Sequence, residues 1–213
     1  MVRIYLIRHG RQDTDLCNVD VGLSEDGKYQ AELVGKRLSR YPVDALYSSN
    51  MLRAVETAEI INSFLHVPHF RVEDLREISF GELTGHSDLD NQEHFDFFLK
   101  KQARMEWDLP YPGGESGEDV YKRALPQLQK IARSGAKEIV VVTHGVLIRS
   151  VLAGIIGCGF ARRNMFGHHM ENCSINELVY DEQYDRFLLE RFNDFSHLED
   201  TPQLMRRSWK GKQ

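Results

Sequence analysis

The chain is predicted to be an α/β protein: a three-layer α/β/α sandwich whose mostly parallel central sheet ends in an antiparallel edge. Apolar runs alternate along the sequence with segments of helical periodicity, which is typical of a parallel sheet covered by helices. Two of these runs, residues 4–10 and 138–145, lack polar alternation, as expected of strands buried on both faces. Residues 174–180 and 186–192 alternate around a turn and predict an antiparallel hairpin.

The size and composition of the chain predict one globular domain. It has 213 residues, of which 41% are hydrophobic and 28% are charged. We expect residues 1–213 to form a single domain with a lid-like helical insertion at about residues 86–112. The formal net charge of -5 gives no sign of a nucleic-acid partner.

Features of targeting and redox environment predict a cytoplasmic protein without a membrane partner. No apolar run approaches the roughly 18 residues that span a bilayer, and the first residues enter a strand without a signal-peptide pattern. The three cysteines are odd in number, widely spaced and form no CxxC pair. Reduced thiols are therefore expected.

The first half of the chain contains two predicted helices between short strands. Ser24 is placed to cap a helix over residues 25–40, and Pro42 ends it. Residues 44–49 are a strand candidate, a second helix extends to about Leu65, and a further strand runs through residues 70–72.

The second half begins with the predicted insertion. Residues 88–107 are polar and aromatic and predict a helical segment near the crevice, although aromatic side chains at helical spacing usually pack in a core. Ser116 and Asp119 resemble a capping box that starts the next helix. The buried strand 138–145 and a helix over residues 146–156 follow. The tail, residues 206–213, is expected to be solvated.

Polar residues follow the two buried strands at their carboxyl ends. Arg8 and His9 follow the first strand, with Gly10 allowing a tight turn, and His144 follows the later one. A single histidine after a strand is usually a surface residue. However, neighbouring parallel strands deliver their carboxyl ends to one crevice, where α/β sheets bind ligands. We therefore expect His9 and His144 to face each other across one site.

Two kinds of ligand suit such a site, a metal ion or a phosphate group. His66 and His69 straddle Pro68, and the adjacent His168 and His169 would point oppositely in a strand, so neither pair predicts a metal site. Phosphate is favoured because arginine offers a planar fork to phosphate oxygens. Arg53 follows a third strand end, where a helix N-terminus would add anion affinity.

Six short motifs in order resemble the histidine phosphatase superfamily, also called phosphoglycerate mutase-like, and its phosphatase branch in particular. Any one of them is weak, but the ordered set is specific. They are Arg8-His9-Gly10; Leu23-Ser24 with Gly27, Gln30 and Ala31; Ser48-Ser49 through Arg53-Ala54 with Thr57-Ala58; Leu75-Arg76-Glu77-Ile78 with Phe80-Gly81-Glu82 and Gly85; Gly113-Gly114-Glu115-Ser116; and Thr143-His144-Gly145.

The resemblance implies roles for the candidate residues. His9 would be the neutral nucleophile, with its other ring nitrogen donating to a backbone carbonyl. Arg8, Arg53 and His144 would bind the phosphoryl oxygens, His144 as a protonated donor. Glu77 would be the proton donor, with Glu82 as the alternative.

The loop after Gly10 departs from the family pattern. Residues 11–15 replace the usual Glu-Thr-x-x-Asn, and the loop is short. Asn18 is the candidate for the family's asparagine contact to phosphate, with Gln12 as the alternative. We expect the insertion, the loop 11–22 and the region 166–172 to determine the substrate.

These features predict a metal-independent phosphomonoesterase of the histidine acid phosphatase type, acting through a phosphohistidine on a small cytoplasmic phosphate ester. No cofactor is expected. A phosphoglycerate mutase-type phosphotransferase and a non-catalytic phospholigand-binding relative are the alternatives. The sequence makes no prediction of oligomeric state.

Overall fold

A six-stranded sheet forms the centre of the protein. The computed structural model describes residues 1–167 and 169–206. Its strands are β1 (Val2–Arg8), β2 (Ala45–Ser48), β3 (His69–Arg71), β4 (Glu138–Thr143), β5 (Ile175–Asp181) and β6 (Arg186–Asp194), in the order β3-β2-β4-β1-β5-β6. Strands β1 to β4 are parallel, whereas β5 is antiparallel to both β1 and β6. The predicted mixed sheet with an antiparallel edge is confirmed.

Helices cover both faces of this sheet. The helices in these layers are α1 (Glu25–Leu38), α2 (Leu52–Leu65), α4 (Gly117–Ala132) and α5 (Gly145–Ile156). Helix α3 (Asp88–Ala103) supplies no described residue to the two cores that pack on the sheet. Tyr5 and Ile7 of β1 pack in one core with α1 and α2, while Ile4 and Leu6 pack in the opposite core with α4 and α5. Because successive side chains of a strand alternate between faces, β1 is buried on both sides, and the three-layer prediction is confirmed.

The predicted helix starts are present. The Ser24 hydroxyl accepts a hydrogen bond from the Gly27 amide at 3.2 Å. Ser116 and Asp119 form a complete capping box at the start of α4. Helix α1 ends at Leu38, two residues earlier than predicted, because the Tyr41 amide bonds to the Leu38 carbonyl in a turn.

The segment 86–112 contains α3, which begins at a Ser87–Asp90 capping box. Its aromatic residues differ in burial. Phe98 packs against Tyr111, with ring centroids 5.4 Å apart, but Phe97 is 80% exposed and Trp107 is 64% exposed. Core packing, the usual role of aromatic residues at helical spacing, is therefore not the role of Phe97 and Trp107.

Some sequence-based expectations concern residues outside the described ranges: His168 and residues 207–213 of the tail. Arg206, the first residue of that predicted solvated tail, is instead half-buried. This position corrects the expectation of a solvated tail for Arg206, because Arg206 lines the main pocket of the protein. Within the described ranges, no helix is long and apolar enough to cross a membrane.

Candidate active site

Three strand ends deliver four basic residues to one place, which we call the basic cluster: Arg8, His9, Arg53 and His144. β1 and β4 are neighbours, with Arg8 opposite Thr143, so the two histidines follow adjacent strands. Their ring centroids lie 5.1 Å apart. β2 flanks β4 on its other side, and the helix that follows β2 brings the Arg53 Nε to 3.2 Å from His9 Nε2.

His9 is held in a defined tautomer. Its Nδ1 lies 2.7 Å from the Gly10 carbonyl oxygen and must donate to it, which leaves the lone pair on Nε2. Burial, with repulsion from the guanidinium groups of Arg53 and Arg8, holds the pKa of His9 well below its ordinary value of 6.5. The ring is therefore neutral, as a nitrogen nucleophile must be.

Gly10 is required for packing rather than for a special backbone angle. A Cβ atom on Gly10 would lie 2.5 Å from the carbonyl oxygen of Gly27 in the first turn of α1. Gly10 is not among the glycines with a positive φ. The expected tight turn is therefore replaced by a close approach between two backbones, which fixes the loop beside His9.

His144 is also buried and neutral. Its Nε2 lies 2.9 Å from the Ser49 hydroxyl, which itself accepts from the Met51 amide. Because the Ser49 oxygen already accepts from the Met51 amide, we assign its hydroxyl hydrogen to His144 Nε2, and this assignment places the imidazole proton on Nδ1.

Burial, with repulsion from Arg53, His9 and Arg8, holds the pKa of His144 well below 6.5. The expected protonated form of His144 would therefore need the negative charge of a phosphate dianion beside it. His144 Nδ1 is buried and has no hydrogen-bond partner among the described residues. A neutral His144 can thus still donate one hydrogen bond.

The two arginines of the basic cluster concentrate positive charge. Arg53 is 2% exposed and donates to the Val19 carbonyl at 3.0 Å and to Asn18 Oδ1 at 2.8 Å. Arg8 donates to the Met170 carbonyl, and its buried Nε has no hydrogen-bond partner within the described part of the chain. Desolvation lowers the pKa of both groups. An anion would relieve this uncompensated charge.

The two candidate glutamates lie in different environments. Glu77 is buried and lines the pocket beside the basic cluster. Its Oε1 accepts from the Ile78 and Leu147 amides at 3.0 Å, and its Oε2 accepts from the Val146 amide at 3.2 Å. Glu82 is exposed and does not line this pocket. The carboxylate next to the basic cluster is therefore that of Glu77.

The two loop candidates for the phosphate contact, Asn18 and Gln12, also differ in their hydrogen bonds. Both Asn18 and Gln12 line the pocket. The Asn18 side chain contacts Arg53 directly. The Gln12 amide nitrogen instead donates to the Thr14 and Leu16 carbonyls at 3.1 Å each. Gln12 thus braces the loop, while Asn18 lies with the basic cluster.

The pocket residues that were missed as site residues in the sequence include Asn172 and Arg206. Asn172 donates to the His9 carbonyl at 2.8 Å and lines the pocket, of about 370 Å³, together with Arg206. Asn172 lies in the region 166–172 that was expected to affect substrate choice. Arg206 could not be identified from the sequence, because the basic segment that it shares with Arg207 has no periodic or motif context.

The geometry favours an anion over a metal ion. The basic cluster offers guanidinium and imidazole donors around a neutral histidine nitrogen. Among the residues that the structure describes, no group of three or more histidine, cysteine, aspartate or glutamate side chains is placed to hold a metal ion. A phosphate group matches these donors in charge and geometry.

Comparisons with known proteins agree with this chemistry. Residues 4–194 match the model of the histidine phosphatase superfamily (branch 1). Phosphoserine phosphatase 1 of Hydrogenobacter thermophilus is 27% identical over 93% of this chain and 95% of its own length. The metal-independent phosphoserine phosphatase of Arabidopsis thaliana is 29% identical over 97% of this chain and 87% of its own length.

A solved structure supports the same relationship. A mutant phosphoserine phosphatase from Entamoeba histolytica, in complex with phosphoserine, has a TM-score of 0.77 and 26% identity, covering 93% of this chain and 100% of that chain. With a family model that spans most of its length, the chain belongs to the histidine phosphatase superfamily, branch 1.

Proposed function

We propose that this protein is a metal-independent phosphomonoesterase of the histidine acid phosphatase type, acting through a phosphohistidine intermediate. The observation that carries the proposal is His9: a neutral, buried imidazole whose Nε2 lone pair points at Arg53 in the basic cluster. This arrangement pairs a nucleophile with donors for a phosphoryl group.

In the first step, His9 Nε2 attacks phosphorus, and the bond from phosphorus to the ester oxygen breaks. The charge on the phosphoryl oxygens is stabilised by Arg8, Arg53 and the Nδ1–H of His144. Asn18 supports this group through Arg53, and Gln12 acts through the loop that it braces. Glu77 gives its proton to the leaving oxygen.

In the second step, the ionised Glu77 takes a proton from a water molecule, whose oxygen attacks phosphorus. The nitrogen–phosphorus bond breaks, its electron pair returns to His9 Nε2, and inorganic phosphate is released. Glu77 ends protonated and His9 ends neutral, so both groups are restored. The amides of Ile78, Val146 and Leu147 hold the Glu77 carboxyl in position through both steps.

Relatives and pocket size support a small phosphate ester as substrate. Solved relatives are complexes with phosphoserine and with 3-phosphoglyceric acid. Residues 86–112 would act as a lid over the pocket, since Asp88 at the start of α3 is part of its lining. We also propose a single domain and a cytoplasmic location, the latter because Cys17, Cys158 and Cys173 are free thiols.

The proposal is tested with p-nitrophenyl phosphate in the presence of EDTA. We expect turnover that resists EDTA and falls by roughly 10⁴-fold or more in His9→Ala. His66→Asn is the matched control, because His66 is exposed and outside the pocket, and asparagine tolerates its left-handed backbone conformation. Radiolabelled ester should leave a label on the wild-type chain that is stable in alkali and labile in acid.

Three outcomes would contradict the proposal. EDTA-sensitive turnover would indicate metal chemistry. Efficient phosphate transfer between phosphoglycerates, without hydrolysis, would indicate a mutase. Tight phosphate binding without any turnover would indicate a non-catalytic phospholigand-binding protein.

A further inference from the structure

A second cavity, of about 200 Å³, opens beside the main pocket. We call it the arginine chamber. It shares Arg8, Glu77, Phe80 and Arg206 with the main pocket and adds Arg149 and His169. The function proposed above uses Arg8 and Glu77 but gives no role to Arg149, His169 or Arg206.

The two additional arginines come from distant parts of the chain and are anchored there. Arg149 lies in α5, and its Nη2 donates to the Gly167 carbonyl at 2.9 Å. The backbone amide of Arg206 donates to Glu171 Oε2 at 2.9 Å. Both residues are half-buried. The Arg149 guanidinium and the Arg206 backbone are thus each anchored at the chamber wall, by contacts that do not depend on each other.

The chamber gathers positive charge against repulsion. Burial, with the charges of Arg206 and Arg149, lowers the pKa of Arg8, and the pKa of Arg149 and of Arg206 is lowered in turn by burial. Glu77 is the acidic residue of the chamber lining, and its carboxylate already accepts three backbone amides. Glu171 and Asp88, outside the chamber lining, offset part of the charge of Arg206. Within the lining, three arginines still outnumber the one carboxylate, which favours an anionic occupant.

The position of the chamber relates it to the leaving group. Glu77 protonates the leaving oxygen in the proposed reaction, and Glu77 and Phe80 both border the arginine chamber. Phe80 also borders a third cavity under α3, whose charged lining residues are Asp88, Asp96 and Lys100. A leaving group beside Glu77 is thus close to two cavities. The lining of the arginine chamber has more cationic than acidic side chains, whereas the lining of the cavity under α3 has more acidic than cationic ones. An anionic group therefore fits only the arginine chamber.

We propose that the arginine chamber binds a second anionic group, a carboxylate or a phosphate, carried by the leaving group of the substrate. Arg149 and Arg206 bind this group, and His169 lies beside them. The proposal rests on the proposed function, and it narrows the substrate class to small phosphomonoesters whose leaving group carries a second anionic group near the ester oxygen.

Matched substrate pairs test this inference. For a carboxylate, the pairs are 3-phosphoglycerate with glycerol 3-phosphate, and phosphoserine with phosphoethanolamine. For a second phosphate, the pair is ethanediol bisphosphate with 2-hydroxyethyl phosphate. We expect kcat/KM to favour the member that carries the second anionic group, in at least one series, by roughly 10- to 100-fold, as for a site built to pair a polar group. The series with the larger ratio identifies the anion.

Arginine variants connect the preference to the chamber. Arg149→Ala and Arg206→Ala should each reduce the substrate ratio by about tenfold, while Arg206→Glu should shift it toward phosphoethanolamine. Arg162→Ala is the control, because Arg162 is exposed and lies outside both cavities. Melting temperatures of all variants separate misfolding from altered selectivity.

The two proposals fail separately. If p-nitrophenyl phosphate is not hydrolysed by the wild type, the proposed function fails. If it is hydrolysed but no pair shows a preference, or Arg149→Ala, Arg206→Ala and Arg206→Glu all keep the wild-type ratio, the inference about the chamber is overturned.

Discussion

The basic cluster and the arginine chamber are both cationic, yet they are built in opposite ways. The basic cluster stands on the ends of β1 and β4 and on the first turn of α2, with side chains that contact one another directly. The arginine chamber takes Arg149 from α5 and Arg206 from beyond the last strand. A phosphoryl group is common to all substrates of such an enzyme, whereas leaving groups differ. Rigid sheet ends therefore suit the first task and peripheral segments the second.

Removal of Arg53, which belongs to the basic cluster and not to the arginine chamber, should affect all substrates equally. Arg53→Ala should lower kcat/KM by about 10³-fold, whichever alcohol leaves, because a donor to the phosphoryl group is lost. Steady-state kinetics on p-nitrophenyl phosphate and on 3-phosphoglycerate measure this. Arg40→Ala, an exposed arginine, is the control. A loss confined to one substrate would contradict the division of labour between the basic cluster and the arginine chamber, because Arg53 would then act on one leaving group.

Glu77 lies between the basic cluster and the arginine chamber. Its variant should therefore show one effect that is common to all substrates and one that depends on the leaving group. Glu77→Gln should slow steady-state turnover by about 10²-fold because water is no longer activated. With p-nitrophenyl phosphate, whose leaving group needs no proton, a fast burst of p-nitrophenol should come first. Alkyl phosphates should show no burst. Stopped-flow absorbance measures this, with exposed Glu82→Gln as the control; a burst-free reaction would exclude the role of Glu77 in the second step.

Ser49 tests whether the tautomer of His144 matters. Ser49→Ala should reduce kcat by about tenfold, since Nδ1 of His144 would no longer be the fixed donor. Nitrogen-15 shifts of the imidazole report the tautomer directly. Ser48→Ala is the matched control, because the Ser48 hydroxyl lies 2.9 Å from His69 Nε2 instead. Equal activity of both variants would remove Ser49 from the mechanism.

Burial of two neutral histidines should also make the basic cluster sensitive to acid. Above pH 6.5 both are neutral in the folded and unfolded chain, so they add no pH dependence. Below it the unfolded chain gains protons that the folded cluster resists, because the folded pKa values are depressed. Each histidine should therefore lower the free energy of unfolding by roughly 1 kcal/mol at pH 6.

Urea denaturation at pH 7.5 and pH 6 measures this fall in the free energy of unfolding. His144→Asn should show a smaller difference between the two pH values than the wild type, whereas His94→Asn, an exposed control, should not. An unchanged difference in His144→Asn would mean that His144 is not buried in its neutral form.

The same contrast explains what the sequence could predict. Apolar periodicity placed the strands, since burial on both faces leaves an uninterrupted run such as that of β1. Strand ends then located His9 and His144, because parallel neighbours share an edge. The caps at Ser24 and Ser116 followed from local spacing and were confirmed.

The remaining features depend on contacts that have no local pattern. Arg206 reaches the pocket only because the chain returns there after β6, and its own neighbours in sequence carry no sign of this. The neutral state of His144 depends on its burial beside Arg53 and Arg8. The packing of Gly10 against Gly27 requires knowledge of where α1 lies. Each of these features follows from tertiary placement rather than from residue type.

The strand order has a consequence for how the protein folds. Strand β1 has β4 and β5 as its two neighbours, and both begin at residue 138 or later. Such long-range pairing gives a high contact order and slow folding. During synthesis, the apolar strand β1 therefore stays unpaired until β4 and β5 have been made. We expect nascent chains that stop before residue 138 to bind chaperones through this segment and to possess no phosphatase activity at all.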